Sequence, residues 1–161
     1  METAFDPEKT ALLIIDMQND LVKNNSGYFA PMYSMVQRNN VVKNLIRLTD
    51  RARQKGADFI DELRPAADDY VVAKRRSGAF HKTDRDLMLR ARGLDTLIIG
   101  GVVTNGCVEN TIRGARELDY HVIVLSDCRA AVMAEAHDHA MRKVFPALGR
   151  VRSTEDVLKA M

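Results

Sequence analysis

The chain has 161 residues, of which 46% are hydrophobic and 29% charged, enough for one core and for one domain spanning residues 1–161. A net charge of +2 with the signs interleaved argues against a nucleic-acid partner, and no apolar run approaches the roughly 20 residues of a membrane helix. The acidic start METAFDPEK has no apolar signal core, which points to a cytoplasmic protein.

Thr10–Asp16 (TALLIID) is continuously apolar and ends in a carboxylate, the pattern of a strand buried on both faces. Asn24, Asn25, Gly27 and Pro31 mark a loop. Ser34 followed by Gln37 is a capping-box signal. Val36, Val41, Val42, Leu45, Ile46 and Leu48 then recur at helical spacing until Gly56, which predicts one helix. Ala57–Ile60 and Asp69–Lys74 read as short strands, and Thr83 or Asp84 caps a helix through Arg92, stopped by Gly93. Leu94–Gly101 is a second buried strand, Asn105–Leu118 a helix, and Tyr120–Leu125 a strand. Ala134–Phe145 reads as a helix, Gly149–Arg152 as a last strand, and Thr154–Ala160 as a terminal helix. Strands alternating with helices predict an α/β fold: three layers, α/β/α, around a mostly parallel, doubly wound, Rossmann-like sheet. A ligand then sits beyond the carboxyl ends of the strands.

Three chemistry-bearing residues fall at those ends. Asp16 closes the first strand, Lys74 closes DYVVAK, and Cys107 follows LIIGG across a turn to open a helix. A thiol at a helix N-terminus faces unpaired N–H groups and the positive end of the dipole, both of which favour the thiolate. A lysine ammonium adds to this, and a carboxylate in reach can accept the thiol proton. Gly100, Gly101 and Gly106 let the backbone turn so that its N–H groups can face a developing oxyanion. Each residue has a plainer reading: Cys107 as a small buried hydrophobe, Asp16 as a turn cap, Lys74 as a surface charge. Cys128 reads as structural, and there is no CxxC motif. His137 and His139, two apart on a predicted helix, point to different faces and read as solvated histidines rather than metal ligands.

The segments ALLIIDMQND (Ala11–Asp20), VVAKRRSGAF (Val71–Phe80) and GGVVTNGCVENTIRGARELDYHVIVLSDCRAA (Gly100–Ala131) resemble, in order, the isochorismatase-like cysteine hydrolase superfamily. The likeness is nearest to its ureidoacrylate, N-carbamoylsarcosine and biuret-type amidohydrolases. The resemblance implies a catalytic triad of Asp16, Lys74 and Cys107, and a cis peptide at Val102–Val103. It implies an oxyanion hole from the amide nitrogens of Val103 and Cys107, with Gln18, Phe80 and Thr104 as substrate contacts. The activity it implies is cofactor-free hydrolysis of a C–N bond in a small amide, carbamoyl or ureide compound through a thioester, by a homo-oligomer (dimer or tetramer). Nicotinamidases of this group bind a metal through an Asp/His cluster; no histidine lies between Met1 and Phe80 here, so no metal site is expected. Relatives carry a longer stretch where Ile60 meets Asp61 in this chain. A shortened pocket loop there admits an alternative, a catalytically impaired relative serving as a binding or assembly module.

Overall fold

Four strands, β1 (Thr10–Ile15), β2 (Thr96–Val102), β3 (His121–Ala130) and β4 (Arg150–Arg152), lie side by side in that order, each neighbouring pair parallel. They form the sheet of a computed structural model that describes residues 5–23, 25–53 and 71–161. The helices are α1 (Asn19–Val22), α2 (Ala30–Arg38), α3 (Val41–Arg53), α4 (Arg85–Ala91), α5 (Glu109–Glu117), α6 (Ala134–His139), α7 (Phe145–Leu148) and α8 (Thr154–Ala160). No helix among the described residues is long and apolar enough to cross a membrane.

Side-chain alternation along the strands feeds two cores, one on each face of the sheet. Ile98, Ile123 and Leu125 pack against Met32 and Val36 of α2, Leu45 and Leu48 of α3, and Val157 of α8. Leu97, Ile99, Val122 and Val124 pack the other way, against Leu89 of α4, Ile112 and Ala115 of α5, and Phe145 of α7. All residues of β2 are buried, as its apolar run predicts. β1 is not buried on both faces: only Leu13 and Ile15 are, because among the described residues β1 pairs with β2 alone and its other side borders a cleft.

Four sequence expectations need correcting and one refining. The single helix expected from Ser34 to Gly56 is two helices, because Asn40 takes a left-handed conformation (φ +52°) that short polar side chains tolerate. Pro31 sits in the first turn of α2, where its missing N–H costs nothing, so it starts a helix instead of marking a loop. Ser34 lies inside α2 and donates its hydroxyl to the Ala30 carbonyl at 3.1 Å, so it caps nothing. The helix expected over Ala134–Phe145 is present and runs on through Leu148, but it widens to a π-helix at Ala140–Val144, just before Pro146, whose ring nitrogen cannot donate to the helical ladder. The strand expected over Asp69–Lys74 is absent from its described part, since residues 71–74 are irregular; residues 69–70, the strand expected at Ala57–Ile60 and the Ile60–Asp61 junction lie outside the described residues.

Gly101 sets how closely β1 and β2 approach at their carboxyl ends. It lies opposite Ile15 at φ +117°, and a Cβ there would overlap the Ile15 carbonyl oxygen. Gly101→Ala is therefore expected to cost roughly 3 kcal/mol or more, because backbone clash adds to the unfavourable φ. Gly27→Ala, at φ +57° with open space around it, should cost only about 1 kcal/mol. Urea denaturation midpoints of the two variants check the difference.

Candidate active site

β1 ends at Ile15, and the next residue, Asp16, turns into the left-handed region at φ +52° while its carbonyl accepts the Gln18 N–H at 2.8 Å. That kink releases the carboxylate from the sheet. Its Oδ2 lies 2.6 Å from Lys74 Nζ, and the two side chains are 18% and 17% exposed. Lys74 Nζ also donates to Cys107 Sγ at 3.4 Å and to the Arg76 carbonyl at 3.3 Å. Asp16 also acts on the same thiol, raising its proton affinity. The three residues singled out at predicted strand ends thus meet, although Lys74 arrives on an irregular segment and not on a strand.

Cys107 is held by the loop between β2 and α5. The Val102–Val103 peptide is cis, and the Val103 carbonyl accepts the N–H groups of Gly106 at 3.0 Å and Val108 at 3.2 Å. Thr111 Oγ1 donates to the Cys107 carbonyl at 2.7 Å, tying the loop to α5. Thr104–Val108 is a wide turn with Gly106 at φ −129°, ψ −107°, and α5 begins only at Glu109. Only Asn105 and Gly106 depart from helical geometry there, so Cys107 stands directly after the kink and opens the helical run that continues into α5. Burial pushes its thiol up, the hydrogen bond and charge of Asp16 push the same way, and Lys74 opposes them without prevailing. For Lys74, burial pulls downward, but Asp16 and then Cys107 hold the ammonium above its usual range. Asp16 and Lys74 thus form an ion pair beside a thiol whose proton is held more tightly than usual. Passing the thiol proton to Asp16 would move the negative charge from carboxylate to sulfur, and Lys74 touches both ends of that transfer.

A cleft of about 220 Å³ lies beside the Asp16–Lys74 pair, lined by Asp16, Gln18, Lys74 and Arg85 with apolar walls from Leu12 to Ile15 and from Val71 and Val72. Gln18 is exposed at the start of α1 and lines the cleft. Val103 is half-buried at the base of the loop. Phe80 and Thr104 stand elsewhere. The Phe80 ring stacks on Tyr120 at 5.7 Å, at the amino-terminal end of β3, and packs into the core. Thr104 is fully buried, and its Oγ1 lies 2.9 Å from His137 Nδ1. His137, expected in solvent, is thus buried, while His139 is exposed on the other face of α6. Cys128 is buried with Sγ 3.1 Å from Thr154 Oγ1, and burial pushes its thiol to about 12. Among the described residues, no three His, Cys, Asp or Glu side chains gather to hold a metal.

Sequence reasoning missed Arg85 and the Thr104–His137 contact. Arg85 could have been found: it stands one helical turn before Leu89, the buried position of α4, so a charge occupied the inward stripe. The Thr104–His137 pair left no such signal, since its members are 33 residues apart on elements whose packing periodicity does not report.

The isochorismatase domain model matches residues 54–156 of the chain. An uncharacterized isochorismatase family protein of Bacillus subtilis (strain 168) is 34% identical over 180 aligned residues, covering 96% of this chain and 95% of that protein. A ureidoacrylate amidohydrolase of Acinetobacter baylyi is 41% identical over 103 residues, covering 62% of this chain and 42% of that enzyme. Among solved structures, an isochorismatase-like hydrolase from Alkaliphilus metalliredigens superposes with a TM-score of 0.82 at 30% identity, over 94% of this chain and 98% of that one.

The electrostatics of the thiol make a direct expectation. Iodoacetamide should modify Cys107 well before Cys128, with a rate that climbs through a midpoint above the ordinary thiol range. Lys74→Met should move that midpoint further up, because the ammonium is what pulls it down. Peptide mapping by mass spectrometry across a pH series reads both effects.

Proposed function

The chain belongs to the isochorismatase-like hydrolase family, and on that footing we propose that it is a metal-independent cysteine amidohydrolase cleaving a C–N bond of a small, non-peptide amide, carbamoyl or ureide compound. The observation that carries this reading is Lys74 Nζ held 2.6 Å from Asp16 Oδ2 and 3.4 Å from Cys107 Sγ at the edge of a cleft. The ureidoacrylate amidohydrolase similar to this chain supports the C–N bond as the target.

In this reading Asp16 takes the thiol proton as substrate enters, and the thiolate attacks the carbonyl carbon. Charge developing on the carbonyl oxygen is met by the N–H groups of Val103 and Cys107. The C–N bond then breaks, and the leaving ammonia or amine carries off the proton that Asp16 had taken. Asp16 next removes a proton from water, whose oxygen attacks the thioester; the acid or carbamate departs and Cys107 recovers its proton. Lys74 keeps the negative charge stabilised whether it resides on oxygen or on sulfur, so the proton transfer does not strand an anion in a half-buried site.

The alternative, a binding or assembly module, has one observation in its favour. The alignment with the Bacillus subtilis relative runs over 180 positions, more than the 161 residues of this chain, so gaps must open in this chain. Against it stands the ion pair itself, since keeping two charges together in a half-buried site costs desolvation and a module without chemistry gains nothing from it.

Ammonia release across a panel of small amides, carbamoyl compounds and ureides tests the reading. Cys107→Ala should drop the rate of the best substrate by at least about a thousandfold, and Asp16→Asn should do likewise. A folded wild-type protein that hydrolyses none of the panel, or a Cys107→Ala variant as fast as wild type, would refute it.

A further inference from the structure

Lys74 comes to the site on irregular chain, with no strand or helix from Val71 until α4 begins at Arg85. A hydrogen-bond ladder therefore does not hold its ammonium 3.4 Å from Cys107 Sγ. The first turns of α5 do. Asn110 Nδ2 donates to Ser77 Oγ at 3.1 Å, and the Ala79 N–H donates to Thr111 Oγ1 at 3.1 Å. The Phe80 ring lies against Gly114, where a Cβ would touch it at 3.5 Å.

Of these contacts, the one to Thr111 is out of water. Ala79 and Thr111 are fully buried, whereas the Ser77–Asn110 bond is exposed. A buried N–H left without a partner costs its full desolvation, so the chain bearing Lys74 is pinned hardest at Ala79. The same hydroxyl donates its proton to the Cys107 carbonyl at 2.7 Å. That bond, to the residue four before it, is an ordinary habit of helical threonines and alone says nothing about function. The bond from Ala79, 32 residues away in sequence, is not of that kind. One oxygen thus accepts from the chain that carries Lys74 and donates to the residue that carries the thiol, and its only proton is spent.

We propose that Thr111 is a positioning residue: its hydroxyl fixes the segment bearing Lys74 against the loop bearing Cys107 and so sets the contact between ammonium and sulfur. It acts through the two chains it joins. The positioning stands on this geometry alone, and only its consequence for turnover rests on the amidohydrolase reading.

Asp16 and Lys74 are the charged groups acting on the Cys107 thiol, and of the two only Lys74 favours the thiolate. Thr111→Val keeps the shape of the side chain but strands the Ala79 N–H, so the segment shifts to find it a partner and the ammonium leaves the sulfur. The pH midpoint of Cys107 alkylation by iodoacetamide, read by peptide mapping, should rise in Thr111→Val as in Lys74→Met. Thr111→Ser, which keeps the hydroxyl, should hold it at the wild-type value. In a Lys74→Met background Thr111→Val should add no further shift, because the contact it positions is already gone. Circular dichroism checks the fold; should Thr111→Val not fold, Thr111→Ala, which leaves room for a water on the Ala79 N–H, takes its place with the same expectations. Ammonia release should fall through kcat by roughly tenfold or more, with KM little changed. An unchanged midpoint in the folded variant, or an equal shift with Lys74 absent, would overturn the proposal and leave the amidohydrolase reading intact. The expected midpoint shifts in a protein whose wild type releases no ammonia would overturn that reading and leave Thr111 in its role.

Discussion

The ion pair between Asp16 and Lys74 is the contact on which the site depends. At 2.6 Å and less than one-fifth exposed on either side, it joins the end of β1 to the segment before α4, and it places an ammonium within reach of the Cys107 sulfur. Removing one partner of a fully buried pair costs about 3–5 kcal/mol because the other charge is stranded; partial exposure reduces that here. The surroundings serve the same contact. Gly101 lets β2 approach Ile15 at close range, and Asp16 turns left-handed one residue later, so the carboxylate leaves the sheet where the loop bearing Cys107 begins.

Much of the fold was legible because period and punctuation agreed. The buried residues Leu97 to Val102 of β2 form an unbroken run without polar side chains, and α8 follows Ser153, whose hydroxyl accepts the Asp156 N–H in a capping box. Where the reading failed, one residue type carried two meanings. Pro31 suits a loop and also a first helical turn, and Asn40 suits a helix interior poorly but a left-handed break well. Val71–Lys74 has the apolar content of a strand without the neighbours that would make it one among the described residues.

The site divides in the same way. That Asp16, Lys74 and Cys107 come together was legible from their motifs. The ionisation of Cys107 was not, because it depends on burial and on the distance to Asp16, neither of which spacing encodes. Phe80 and Thr104 lie beside the motif residues in sequence, yet the core takes one through Tyr120 and His137 takes the other. Proximity along the chain to a functional motif is a poor guide to lining a cleft when an apolar ring or a buried hydroxyl has a nearer partner. Gln18, which is polar and exposed at the start of a short helix, has no such competitor and stays at the cleft.

Raising the proton affinity of the thiol has a consequence for chemistry. An exposed thiolate is a target for adventitious oxidants and alkylators, whereas a neutral thiol paired with a ready acceptor becomes nucleophilic only when its proton moves. The central claim is that this sulfur then carries the acyl or carbamoyl group. Acid-quenched intact-protein mass spectrometry during turnover tests it most directly: the account predicts a mass increment of that group on Cys107 that disappears in Cys107→Ala. A chain that stays unmodified while ammonia is being released and the thioester should accumulate, or one labelled at any other residue, would contradict it.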